Sequence, residues 1–131
     1  MWRPLFMSRR ETMKLPESEL EVMLVLWEEN PLKTPEIMER LKSKNWSIST
    51  LQALLQRLED KGAITKTMEG RTKVYRPLIS QEEYGHEQSN TMLDRFYHGS
   101  IASFVAHFAQ SDELTQRDID EIRAIIDKKG R

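Results

Sequence analysis

The amino-acid sequence predicts a mainly α-helical fold with one small β-hairpin, followed by a second, wholly α-helical region. Three observations support this prediction. A leucine stripe with helical spacing runs through the middle of the chain, two segments rich in β-branched residues follow it around a glycine, and further apolar stripes recur after Ser80. The length of 131 residues suits one domain or two very small ones.

The first predicted helix follows a recognisable start signal. Ser18 and Glu21 have the S-x-x-E spacing of a capping box, in which each side chain bonds the other residue's backbone N–H. Asn30-Pro31 ends this helix, because proline cannot continue one. Its predicted apolar stripe consists of Leu20, Met23, Leu24 and Trp27.

Two further helices are predicted before the hairpin. Thr34-Pro35 starts the second, with proline at the first helical position. The third begins with Ser47 or Ser49 as its N-cap, and Gly62 ends it in a left-handed conformation. Its apolar stripe fits the i, i+3, i+4, i+7 spacing and consists of Leu51, Leu54, Leu55 and Leu58.

Two short segments after the third helix predict the β-hairpin. Residues 63–68 and 72–78 are rich in apolar and β-branched side chains, and Gly70 lies in the turn between them. Three helices followed by a hairpin, in that order, make a winged helix-turn-helix. We therefore predict a winged-helix DNA-binding domain over residues 15–79.

The third helix supplies the predicted reading surface. Since its leucine stripe must face the protein, the opposite face points outward, and its small, hydroxyl and amide side chains suit a helix that enters the major groove of DNA. The hairpin tip brings cations to the neighbouring phosphates. An ordinary amphipathic helix with a solvated face and an incidental hairpin is the alternative. The predicted DNA-binding residues are Ser49, Thr50, Gln52, Ala53, Gln56, Arg57, Arg71 and Lys73.

The charge distribution favours DNA as the partner. The whole chain has a net charge of −1, but residues 1–79 hold 14 Lys and Arg against 11 Asp and Glu, whereas residues 80–131 hold 6 against 10. Most of the basic excess lies in residues 40–76, with nine basic and three acidic side chains. A basic middle beside an acidic end indicates that the first region binds a polyanion and the second has another role.

The second region, residues 80–131, has more apolar side chains than it can bury alone. Ser80 and Glu83 repeat the capping-box spacing, Gly99 interrupts the first helix, and Thr115 caps the last. A unit of about fifty residues is too small for a comfortable core. We therefore predict that these helices bury their apolar side chains in a homodimer. The alternative is that they pack onto the winged domain of the same chain. The predicted dimerisation residues are Phe96, Ile101, Phe104, Val105, Phe108, Ile122 and Ile126.

The beginning of the chain is predicted to be a flexible arm. Residues 1–14 contain Arg9-Arg10, a basic pair that could reach a minor groove. The arm lacks the apolar core and the cleavage site of a signal peptide, and no apolar run approaches the ~20 residues of a transmembrane helix. These features predict a cytoplasmic protein without membrane insertion.

Missing residue types and motifs argue against an enzyme. The chain has no cysteine, so thiolate metal clusters and cysteine nucleophiles are excluded. His86, His98 and His107 are scattered, and no H-E-x-x-H, phosphate-binding glycine loop or G-x-S-x-G occurs. We expect no catalysis, no cofactor and no metal; a metal held by His98 and His107 across a dimer is the weaker alternative.

Several stretches of the sequence resemble the penicillinase and methicillin-resistance repressor family of bacteria. The resemblance covers about residues 15–129, nearly the whole chain. The R-L-x-x-K-G ending of the third helix and the position of Trp27 are its more specific features. The stretches that carry it are residues 19–27 (ELEVMLVLW), 49–62 (STLQALLQRLEDKG), 74–75 (VY), 94–108 (DRFYHGSIASFVAHF) and 114–129.

The resemblance implies a homodimeric winged-helix repressor that binds a palindromic operator and serves antibiotic resistance. In that family a membrane-bound sensor metalloprotease detects a β-lactam, and cleavage in the dimerisation region releases the DNA. The corresponding bond here is His107-Phe108. The best-known members have Asn-Phe at this position, so Phe108 matches and His107 departs. Cutting this bond would break the short helix of the 101–108 stripe, which is predicted to hold two subunits together.

The resemblance also bears on DNA sequence and on induction. Thr50 matches a base-contacting position of the family, whereas Gln52 and Ala53 stand where the methicillin-resistance repressor has an arginine and a threonine, which implies a different operator. The absence of cysteine excludes the copper-responsive branch. Release by a small ligand, and a winged helix used only for protein contact, are the alternatives to this function.

Overall fold

A computed structural model describes residues 13–130, which divide into two compact units at residues 88 and 89. It confirms the predicted fold class of helices with a small antiparallel sheet. The predictions for Arg9-Arg10 lie outside the described residues. In chain order the elements are α1 (Glu17–Glu28), β1 (Leu32–Lys33), α2 (Thr34–Arg40), a 3₁₀ turn (Lys42–Lys44), α3 (Ile48–Asp60), β2 (Ile64–Glu69), β3 (Thr72–Pro77), α4 (Gln81–Phe96), α5 (Ile101–Ala109) and α6 (Gln116–Lys129).

Helix α1 begins at Glu17, one residue before Ser18, so the prediction that Ser18 and Glu21 form a capping box at its start is wrong. Pro16 is the N-cap residue and its carbonyl oxygen accepts a hydrogen bond of 2.9 Å from the Leu20 backbone N–H. Because Leu15 is buried, the chain has to turn into the helix directly after it. The buried face consists of Glu19, Val22, Met23 and Leu26.

The predicted stripe of α1 is therefore only partly right. Met23 is fully buried, but Leu24 is 42% exposed. Seven of the eight residues at positions 20–27 are apolar, so the sequence pattern selects no single face of this helix.

The sheet has three strands, one more than the predicted hairpin. Strand β1 pairs antiparallel with β3, with Leu32 opposite Tyr75, and the order across the sheet is β1-β3-β2. Helix α2 begins directly after β1, one residue earlier than predicted, and the Lys33 backbone N–H donates a hydrogen bond of 2.7 Å to the Glu36 carboxylate.

Helix α3 has the predicted core face and the predicted ends. Ser47 is the N-cap, and its Oγ accepts a hydrogen bond of 3.1 Å from the Thr50 backbone N–H. Gly62 follows the helix at φ +80°, a backbone conformation that residues other than glycine rarely adopt. The four leucines of its stripe, Leu51, Leu54, Leu55 and Leu58, are all buried.

The first compact unit continues beyond Ile79, where the sequence predicted the end of the DNA-binding domain. Tyr84 in the second turn of α4 is buried, and its ring lies 5.8 Å from that of Trp27. The Trp27 indole N–H donates a hydrogen bond of 2.8 Å to the Ile79 carbonyl oxygen. The start of α4 is thus built into the core around α1.

The second compact unit consists of the C-terminal part of α4 with α5 and α6. His98 and Gly99 separate α4 from α5 at φ +53° and +75°. The Oγ atoms of Ser100 and Thr115 cap α5 and α6, as Thr115 was predicted to do. None of residues 89–130 is fully buried. Among the described residues no helix is long and apolar enough to cross a bilayer.

Candidate nucleic-acid interface

The face of α3 opposite its leucines is exposed along the whole helix. Ser47 caps the helix, and its Oγ lies 3.0 Å from Ser49 Oγ and 3.0 Å from Thr50 Oγ1. The first turn therefore presents a cluster of three hydroxyl groups. The predicted helix residues Ser49, Thr50, Gln52, Ala53, Gln56 and Arg57 are all exposed.

The two glutamines on this face differ in their hydrogen bonds. The Gln56 amide nitrogen donates a hydrogen bond of 2.9 Å to Asp60 Oδ1, one turn further along α3. In the described chain the Gln52 side chain makes no hydrogen bond. The Gln52 amide thus has all its donors and its acceptor available for an adenine, which such an amide recognises with two hydrogen bonds, whereas one N–H of Gln56 is already bonded.

The basic residues between positions 40 and 76 fall into two groups. Six of the nine are within 4.0 Å of a carboxylate oxygen: Arg40, Lys42, Lys44, Lys61, Lys66 and Arg76. Within the described residues, Arg57, Arg71 and Lys73 have no such ion pair. A cation without a carboxylate partner can neutralise a phosphate without first losing an ion pair. These three belong to the predicted DNA-binding set.

The hairpin places two of these cations at its tip. Strands β2 and β3 pair from Ile64 opposite Pro77 to Glu69 opposite Thr72. Gly70, at φ +66°, and Arg71 form the turn, and Lys73 follows on β3. Arg71 and Lys73 are exposed, so the tip of the wing is a cationic surface.

An ion pair joins the wing to α3. Lys66 Nζ lies 3.5 Å from Glu59 Oε1, and both side chains are about one-third exposed. On the other side of α3, Lys42 and Glu39 are paired at 2.8 Å, and this hydrogen bond lowers the pKa of the Glu39 carboxyl and raises that of Lys42.

Ile48 is an exposed apolar residue on α3 that lies outside the predicted DNA-binding residues. It lies in line with the leucine stripe, three residues before Leu51, but it is 48% exposed. It lines a surface cleft with Met38 and Trp46 between α2 and α3. The core does not extend to the first turn of α3, which the spacing alone could not reveal.

The predicted dimerisation residues lie on the second unit without forming a closed core. Phe104 and Phe108 are half-buried, with their rings 5.2 Å apart, and Tyr97 stands edge-on to Phe104 at 5.3 Å. Phe96 is 72% exposed and Ile126 is 61% exposed. Ile101 and Val105 are exposed and Ile122 is half-buried.

The His107-Phe108 bond lies in the last turn of α5, next to the C-cap residue Gln110. The His107 side chain is exposed, and its ring contacts those of Phe108 and Tyr97 at 5.0 and 5.9 Å. The described residues contain no group of three His, Asp or Glu side chains arranged to hold a metal.

The chain is similar to a known protein family, to individual proteins of known sequence and to a solved structure. The family described as Penicillinase repressor matches residues 15–128. The Penicillinase repressor of Bacillus licheniformis is 37% identical over 116 residues, which cover 88% of this chain and 91% of that protein. The Methicillin resistance regulatory protein MecI of Staphylococcus aureus (strain N315) is 28% identical over 120 residues, covering 91% and 98%. The solution structure of the DNA binding domain of the repressor BlaI is similar with a TM-score of 0.50 and 40% identity, covering 54% of this chain and 88% of that one.

Proposed function

The chain belongs to the penicillinase repressor family, and from this premise we propose that it represses transcription as a homodimer bound to a palindromic operator. The observation that carries the proposal is the exposed polar face of α3 beside three cations without ion pairs, Arg57, Arg71 and Lys73, among the described residues. In this protein α3 is the reading helix, and the wing positions it on the DNA backbone.

The reading helix contacts base edges with its first two turns. Gln52, with its free amide, pairs with an adenine, and Ala53 contacts a thymine methyl group. Arg57 on α3, and Arg71 and Lys73 on the wing, bind phosphates on either side of the groove. The hydroxyl cluster around Thr50 lies at the end of α3 that enters the groove first.

The second unit joins two copies of the chain. It has no fully buried residue among positions 89–130, yet it carries phenylalanine and isoleucine side chains that water solvates poorly. Burying about 2,000 Å² in a dimer at ~25 cal/mol per Å² supplies a large stabilisation. The dimer also brings two reading helices to one operator, so that each half-site raises the occupancy of the other.

Cleavage at His107-Phe108 by a membrane-bound sensor metalloprotease ends repression. The bond is at the exposed end of a nine-residue helix, where only the last turn has to unwind to enter a protease. Cutting there separates α6, which carries Ile122 and Ile126 of the predicted dimerisation residues, from α5. Incubation with the sensor protease and mass measurement of the fragments test this step; a cut elsewhere, or none, contradicts it.

Selection of bound duplexes from a random DNA pool tests the proposed function. We expect enrichment of a pseudo-palindrome with half-sites centred about 10 base pairs, or a multiple of that, apart. Affinity should fall steeply as salt is raised, since phosphate contacts release counterions. A pool that shows no enrichment after repeated rounds would overturn the proposal.

A further inference from the structure

A buried carboxylate on α1, that of Glu19, forms an ion pair with Lys61 at the end of the reading helix α3. Glu19, in the first turn of α1, is 3% exposed and is a charged member of the otherwise apolar core. Its Oε1 lies 2.5 Å from Nζ of Lys61, the residue that ends α3. A carboxylate in such a place has to be paired, because burying an unpaired charge is strongly unfavourable.

Lys61 is itself held firmly to the end of α3. Its backbone N–H donates a hydrogen bond of 3.0 Å to the Arg57 carbonyl oxygen, and the next two residues close the helix end. Gly62 N–H donates to Glu59, and Ala63 N–H donates to Leu58 at 2.9 Å. The backbone of Lys61 therefore cannot move without moving the end of α3.

The leucine face of α3 fixes its orientation only through shape and burial. Apolar packing is non-directional, so small rotations and shifts of an amphipathic helix change its burial little. A buried ion pair adds a restraint of another kind, because a displacement of the end of α3 that separated Lys61 from Glu19 would leave a buried carboxylate unpaired. It thus supplies the orientational restraint that the leucines do not.

We propose that the Glu19–Lys61 pair is a positioning device that sets the tilt and rotation of α3 for base readout. The inference rests on α3 being the reading helix. At 1.5 Å per residue, the 13 residues of α3 span about 20 Å, so a tilt of ~3° at one end displaces the other by ~1 Å. Hydrogen bonds to base edges tolerate about 0.3 Å, whereas long cationic side chains follow a phosphate over larger displacements.

The first experiment uses Glu19→Gln, for which positioning and simple electrostatics predict opposite results. Removing an acidic group makes the protein more positive, so electrostatics alone predicts equal or tighter DNA binding. Positioning predicts operator binding weaker by about tenfold, similar to the loss of one base contact, with no loss of binding to an unrelated duplex. The ratio of the two affinities is the measured quantity.

Glu17→Gln is the matched control, on the same turn of α1 and with the same change in charge. Glu17 is exposed, and its carboxylate has no hydrogen bond or ion pair within the described chain. We expect its affinity ratio to equal that of the unmodified protein. A Glu17→Gln ratio that falls as far as that of Glu19→Gln would overturn the positioning role.

A double variant separates positioning from stability. Replacing both partners, Glu19→Met with Lys61→Met, leaves the net charge unchanged and often preserves or raises the stability of a protein with a buried ion pair. We expect a folded, stable protein whose ratio of operator to unrelated-duplex affinity is lower by about tenfold. Lys61→Arg, which keeps the pair, should retain the ratio.

The outcomes distinguish this inference from the proposed function. If the unmodified protein prefers its selected operator and the folded double variant prefers it equally, only the positioning role is overturned. If the unmodified protein has no preference among duplexes, the proposed function fails and the positioning role fails with it.

Discussion

Tyr84 and Leu15, 69 positions apart in the chain, are joined by a hydrogen bond of 2.9 Å from the Leu15 backbone N–H to the Tyr84 hydroxyl oxygen. Both residues are buried, so water cannot replace this bond. It ties the segment before α1 to the second turn of α4.

Tyr84→Phe should therefore destabilise the protein. The substitution keeps the ring and leaves a buried N–H without an acceptor, which costs about 1–3 kcal/mol. Urea unfolding measures the change in the free energy of unfolding. Tyr97→Phe is the control, since among the described residues the Tyr97 hydroxyl has no hydrogen bond, and it should change stability by less than about 0.5 kcal/mol. Equal losses in the two variants would contradict the prediction.

Ile126→Asp should weaken operator binding without touching DNA. Ile126 is exposed on α6, so a charge there leaves the folded chain intact but opposes its burial in a dimer. Losing the linkage between half-sites should lower operator affinity by about 100-fold or more. Sedimentation and operator titration measure the two effects. Ala124→Asp adds the same charge at an exposed position outside the predicted stripe and should leave both properties unchanged.

Arg71→Ala should weaken binding to all DNA sequences about equally. Arg71 is at the hairpin turn and, within the described residues, has no ion pair, which fits a phosphate contact. The slope of log affinity against log salt should decrease by about 1. Arg76→Ala is the comparison, because Arg76 is already engaged with Thr67 and Glu69 and should change the slope less. A change confined to one sequence would instead indicate base contact by Arg71.

Gln52→Ala should change which sequence is preferred. Loss of a two-bond contact to adenine weakens discrimination at one base pair of each half-site by about 1–3 kcal/mol. Repeating the random-pool selection with the variant measures this directly. Gln56→Ala should have a smaller effect, because the Gln56 amide is bonded to Asp60. An unchanged preference after Gln52→Ala would mean that a different face of α3 meets the bases.

The elements that depend on neighbouring residues could be predicted from the sequence. The leucine spacing of α3, its serine cap and the left-handed Gly62 are local signals, and the structure reproduces each of them. The same holds for the cap of α6 by Thr115 and the break at Gly99. In each case the residues that specify the feature lie within about two helical turns of one another.

The features that depend on residues distant in the chain could not be predicted from the sequence. Strand β1 has two residues and exists because β3 offers it hydrogen bonds more than forty residues later. The Glu19–Lys61 pair likewise joins residues 42 positions apart. The face of α1 was only partly predicted because that helix is apolar on nearly every side, and the positions of α2, α3 and β3 decide which side is covered.

The second unit has no fully buried residue. In the proposed homodimer, this property links the folding of the chain to its abundance. When assembly supplies the missing burial, the population of the competent form depends on the square of the free monomer concentration, so halving a scarce pool lowers it about fourfold. A cell that destroys only part of its repressor would then lose control of the promoter out of proportion to the amount destroyed. In the proposed homodimer, the thin core of residues 89–130 would make a gradual signal act as a steep one.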